Sequence, residues 1–136
     1  MKKKIISLLS CGMMILSLVG CTQIKDKQVL KEQMKSEIES YEDVYSEDEY
    51  KIYIKGNTLV MEEHEDSDNF YGWKQYNLGG DELVEVTRER SGVIKDLIEM
   101  KGGSENCHVK IIIKDFDTGE KFIVVKDGDV VFDYFE

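Results

Sequence analysis

The chain has 136 residues and carries 18 Lys and Arg against 28 Asp and Glu, a formal net charge of −10, with three cysteines, two histidines and no proline. That balance argues against binding a phosphate backbone, which needs clustered Lys and Arg, so no nucleic-acid partner is expected. Three scattered cysteines cannot build a disulfide framework, and His64 and His108 lack the short spacing of a zinc site.

Lys2, Lys3 and Lys4 precede an apolar run from Ile5 to Val19. A membrane-spanning helix needs roughly 20 apolar residues, so this shorter run reads as the core of a secretory signal. The run closes on Leu18-Val19-Gly20-Cys21, with Leu at minus three, a small residue at minus one and then cysteine. That arrangement resembles the lipobox of bacterial lipoproteins. The resemblance implies cleavage before Cys21, a thioether-linked diacylglycerol on its sulfur, and a place on the outer face of the cell membrane with the bilayer as a partner. One acyl chain holds weakly, whereas two or three give a stable anchor.

The chain then divides into a signal over residues 1–20, an anchor and short linker over 21–26, and one domain over 27–136. Without its signal the chain has 15 basic and 28 acidic residues, a formal charge of −13. Anionic headgroups repel such a domain as a whole. A domain of this length buries about two thirds of its unfolded surface, enough for a core without a cofactor. Cys11 leaves with the signal and lipid consumes Cys21, so Cys107 has no partner and reads as a small buried hydrophobe in a strand.

From Lys27 to Tyr41, Leu30, Met34, Ile38 and Tyr41 recur at helical spacing, which predicts an amphipathic helix packed on its own domain. Glu42 to Glu49 reads as a connector. Tyr50 to Lys55 alternates as a half-buried strand, Gly56-Asn57 suits a two-residue hairpin loop, and Thr58 to Glu63 returns as its partner.

Glu62, Glu63, Glu65, Asp66 and Asp68 form the densest local charge and are weak candidates for a divalent cation. They fail the EF-hand pattern, because Phe70 and Tyr71 stand where an acidic or amide ligand and glycine belong. A solvated, acid-rich turn is the expectation. Phe70, Tyr71, Trp73 and Tyr76 follow; such rings stack sugars or cations, or cover a core, and this is the first place to look for a small ligand.

Leu83, Val86, Val93, Ile94, Leu97 and Ile98 predict a second helix over 81–101, opened by Asp81 and stopped by Gly102-Gly103. Ser91-Gly92 inside it predicts a kink or a break, and Leu83 to Val86 competes as a strand. The last third predicts a meander. Cys107, Val109, Ile111 and Ile113 share one face, with His108, Lys110 and Lys114 on the other. Phe122 to Val125, apolar on both faces, reads as a central strand, and Asp127-Gly128 as a tight hairpin. Asp115 and Asp117 read as turn chemistry.

Gly56-Asn57-Thr58-Leu59-Val60 after an alternating strand, and Val109 to Gly119 after the second helix, resemble small Gram-positive lipoproteins of unknown function. The resemblance implies location and fold and lends no chemistry. The expected fold is α+β, an antiparallel sheet of four to six strands with two helices on one face. Its outer face carries Lys51, Lys55, His108, Lys110 and Lys114 as a mildly basic strip. No catalytic constellation, phosphate-cradling glycine loop or cofactor motif is present. The expected function is therefore a membrane-anchored, extracytoplasmic, non-catalytic module binding an envelope protein or cell-wall component. The alternatives are a small-ligand or divalent-cation binder using residues 62–76, or, more remotely, a hydrolase with paired carboxylates.

Overall fold

The computed structural model describes residues 10–66, 72 and 80–134. Helix α1 (Ser10–Glu42) leads into strands β1 (Tyr50–Lys55) and β2 (Thr58–Glu65). Helix α2 (Gly80–Met100) follows, and then β3 (His108–Asp115), β4 (Lys121–Lys126) and β5 (Asp129–Asp133). The strands form one sheet in chain order, β1-β2-β3-β4-β5, so the fold is α+β.

The sheet is mixed. Three ladders are antiparallel, but β2 and β3 run parallel, with Leu59 across from Val109 and Met61 across from Ile111. The cause is the connection: a parallel neighbour needs a long crossover, and here α2 lies in it. The expected all-antiparallel sheet is corrected at this one ladder.

Both helices cover the same face, α1 over β1 and β2, and α2 over β3, β4 and β5. Between helices and sheet lies a core of Leu30, Leu59, Met61, Ile98, Val109, Ile111, Ile113, Phe122, Ile123 and Val125. Cys107 lies in this core, fully buried. Each large apolar side chain buried in this way contributes roughly 1.5–3 kcal/mol.

Helix α1 is longer than its apolar stripe predicts and runs through residues 21–26, the expected linker. Asp26 is buried there, its carboxylate accepting from the Ser104 amide (2.7 Å) and the Ser104 hydroxyl (2.6 Å). The clamp seats the first turns after Cys21 on the far end of α2. Gln33, about two turns further along α1, is also buried and accepts from Lys101 Nζ at 2.8 Å.

Helix α2 is continuous across Ser91-Gly92. Its buried face is Val84, Thr87, Ser91, Ile94 and Ile98, whereas Val86, Val93 and Leu97, expected inside, are exposed. The reason is the β4–β5 turn, which sits on the helix at the small residues Ser91 and Gly92. A Cβ on Gly92 would come within 3.3 Å of Gly128 Cα. The Gly128 amide donates to Ser91 Oγ (2.9 Å) and Arg88 Nη1 donates to the Gly128 carbonyl (3.1 Å). Small residues that read as a helix break are a docking seat.

The turns follow their residues. Asp127 and Gly128 both take positive φ, 52° and 87°, as a tight Asp-Gly hairpin requires. In the first hairpin only Gly56 does, at 61°. Helix α2 ends in a paired cap, Gly103 donating to the Ile98 carbonyl (2.9 Å) and Gly102 to that of Glu99 (3.0 Å). Asp115 Oδ1 accepts from the Asp117 amide at 2.8 Å and so closes the β3–β4 loop.

Candidate functional site

The sheet face away from the helices is the more informative surface. Strand alternation and register arrange it as a grid. Tyr53, Val60, Lys110 and Lys126 form one row, and Lys51, Glu62, Ile112, Val124 and Phe132 the next. His64, Lys114 and Lys121 form a third, and Lys55, Thr58 and His108 a fourth. This face holds a groove of about 600 Å³ walled by Lys55, Lys110, Lys114, Lys121 and Lys126. Between the lysines it is lined by Tyr53, Thr58, Val60, Glu62 and Ile112, of which Val60, Ile112 and Tyr53 belong to a small apolar cluster with Val124.

Two of its pairings are like-charged. Lys110 stands directly across from Lys126, and Lys114 directly across from Lys121. Opposed like charges destabilise a ladder. Among the described residues Lys114 alone of the groove's lysines makes an ion pair, with Glu62.

Glu62 is the one acid among the groove's described lining residues and is buried. Its Oε1 accepts from Lys114 Nζ and its Oε2 from the Tyr53 hydroxyl at 2.7 Å. Burial opposes its charge, but the bonds from Lys114 and Tyr53 outweigh that and hold the carboxyl below its ordinary range. In return the Glu62 carboxylate, together with burial, pushes the Tyr53 phenol up to about 12. The Lys51 ammonium lies 5.2 Å above the Tyr53 ring.

Glu63, one residue on, faces the helices. It accepts from the Tyr41 hydroxyl of α1 and from Arg90 Nη2 of α2, both in short contacts. Burial opposes the Arg90 charge, and Glu63 more than offsets it. Burial and then Glu63 raise the Tyr41 phenol well above its ordinary value. This is a buried three-way tie between both helices and the sheet.

Glu62 and Glu63, which close the expected strand and open the expected acid-rich turn, are strand residues committed to separate bonds. Glu65 lies half-buried at the end of β2, Asp66 is exposed, and Asp68 lies outside the described residues. Among the described residues no group of three His, Cys, Asp or Glu side chains converges as a metal site. Phe70, Tyr71, Trp73 and Tyr76 also lie outside them. Cys21 is exposed on α1, and with Thr22, Lys25, Asp26 and Gly102 it frames a cleft of about 210 Å³.

The basic strip falls on one face, as alternation predicts. Lys55, Lys110 and Lys114 enter the groove wall, Lys51 leans on Tyr53, and His108 is tied to Asp127, with Nδ1 2.6 Å from Oδ2. Lys121 and Lys126 were not foreseen. Five residues apart, they belong to opposite faces of a regular strand. The β3–β4 ladder, however, pairs Ile113 with Ile123 and then Lys114 with Lys121, passing over Phe122. That bulge returns Lys121 to the groove side.

Taken together, the geometry defines an α+β domain with a lysine-walled groove on its open sheet face. Such a surface can hold an anion. Among its described lining residues there is no serine, cysteine or histidine to act as nucleophile or base. No protein family, no curated protein and no solved structure matches the chain. Among the described residues no helix is long and apolar enough to cross a membrane.

Proposed function

We propose that this chain is a lipoprotein held on the outer face of the cell membrane through an acylated Cys21, and that its domain is a non-catalytic module that binds an anionic envelope component in the lysine groove. The observation that carries the binding role is the convergence of five lysines on one groove of a chain with net charge −10. Repulsion between opposed lysines is a cost to the free domain that an anionic ligand removes. The anchoring role is supported by Leu18 to Cys21 and by the exposure of Cys21 at the start of the clamped part of α1.

Calorimetric titration with phosphate-bearing anions at low and high salt tests the groove. Binding that weakens steeply with salt and is lost in a Lys110→Gln, Lys126→Gln double variant is expected. Absence of binding at low salt refutes the binding role. Fractionation of cells expressing Cys21→Ser tests the anchor, and retention of that variant in the membrane pellet refutes it.

A further inference from the structure

The groove's charge is not spread evenly, and its distribution narrows the ligand. Lys55, Lys110 and Lys126 gather at one end, and Lys114 and Lys121 at the other. Between them the groove is lined by Ile112 and Glu62, the Glu62 carboxylate being taken up by Lys114 and Tyr53, so that the second pole is the weaker. Lys110 and Lys114 are four residues apart on β3, about 13 Å at a rise of ~3.3 Å per residue. At that backbone spacing a single phosphate can sit on one pole without the lysines of the other bending toward it. An extended chain of phosphates laid along β3 reaches both.

Resting on the binding role above, we infer that the groove is a two-pole site for a linear, base-free phosphate polymer, gripped at the Lys110–Lys126 pair and again at the Lys114–Lys121 pair. Lysine is a point charge on a flexible stem. It follows a repeating tetrahedral anion without fixing one orientation, and among the described lining residues there is no arginine fork to select a planar carboxylate. The absence of bases follows from Tyr53. Its hydroxyl is held by Glu62 and its ring lies under the Lys51 ammonium, so that face is not open for stacking.

The test uses the full mature domain and inorganic polyphosphate as probe, with affinities compared per phosphate. A chain of about fifteen phosphates is expected to bind at least tenfold tighter than tripolyphosphate, because the second pole is filled intramolecularly once the first is held. Lys121→Gln and Lys126→Gln each bring the long chain down to the tripolyphosphate level. Lys121→Gln changes tripolyphosphate binding less than about threefold. Thermal melts of both variants confirm that they are folded.

Equal affinity per phosphate for long and short chains overturns the two-pole site while leaving the anion-binding role intact. Failure of every anion to bind overturns both. Oligothymidylate or polyglutamate of matched charge binding tenfold tighter than polyphosphate overturns the ligand class, the first in favour of base stacking and the second in favour of carboxylates.

Discussion

Glu62 and Glu63 are neighbours in the chain, yet they open onto opposite faces of β2 and end in different ion pairs, Glu62 with Lys114 in the groove and Glu63 with Arg90 beneath the helices. Strand alternation causes the division. One acid therefore serves the groove face and the other the core, and substitutions separate the two roles.

Removing Glu63 leaves the Arg90 guanidinium among Tyr41 and the helices with no acid beside it. The Arg90 side chain is 35% exposed, so water takes up part of the unpaired charge, and the loss is about 1.5–3 kcal/mol, that of a hydrogen bond to a charged group. Glu63→Ala is expected to lower the urea midpoint accordingly, and Glu63→Ala with Arg90→Met to recover part of the loss. Anion binding by the folded fraction is expected to remain unchanged.

Acid sensitivity follows from Glu62 and Asp26. Burial opposes both charges, but the bonds from Lys114 and Tyr53, and those from Ser104, outweigh it and leave both carboxyls below their ordinary values of 4.5 and 3.8. A lowered folded-state pKa contributes stability above the ordinary value and loses it as pH falls through the folded one. Urea midpoints are expected to hold from pH 7 to 5 and to drop below 4.5, less steeply in Glu62→Gln. The same variant is expected to bring Tyr53 down from about 12 in an absorbance titration of the phenols.

Cys107 is fully buried, and burial together with the nearby Asp26 carboxylate pushes its thiol up to about 11. Since the thiolate is the reactive form, this cysteine is expected to resist a thiol reagent at pH 8 until urea unfolds the domain. Asp26→Ala loosens the Ser104 clamp and is expected to hasten labelling. Labelling of the native protein at the unfolded rate refutes this placement.

The seat of the β4–β5 turn makes Gly128 and Gly92 unequal to other glycines. Gly128 takes φ of 87°, and Gly128→Ala is expected to cost about 1–2 kcal/mol for the left-handed backbone. Gly92→Leu drives a side chain into Gly128 and is expected to lower the melting temperature further, against the gain in helix propensity. A neutral Gly92→Leu refutes the close approach.

Lys126→Thr relieves the cross-strand repulsion with Lys110 and is expected to stabilise the free domain by a few tenths of a kcal/mol. The same change is expected to weaken anion binding. A variant that loses stability along with affinity argues that Lys126 serves the fold and not a ligand.

Much of the fold was legible in the chain because its signals are local. Tyr50 to Lys55 alternates at period two, Gly56-Asn57 and Asp127-Gly128 fit hairpin turns, and Gly102-Gly103 supplies the cap geometry of α2. Cys107 to Ile113 set one face against Lys110 and Lys114, and the open face kept that division. The site was legible only in part: Lys55, Lys110 and Lys114 could be placed on one face, but Lys121 and Lys126 could not.

Composition and period by themselves determined an acidic α+β domain with strands of one inward and one outward side, since those properties depend on near neighbours. Tertiary structure decided what depends on distant ones. It seated Ser91-Gly92 under a turn near the end of the chain, and sent Glu63 to Arg90 across the core. It set β2 parallel to β3, and through a bulge at Phe122 brought Lys121 across from Lys114. Charge repulsion averages out along an acidic sequence, but in the sheet like charges meet at strand spacing, and that is where the groove is made.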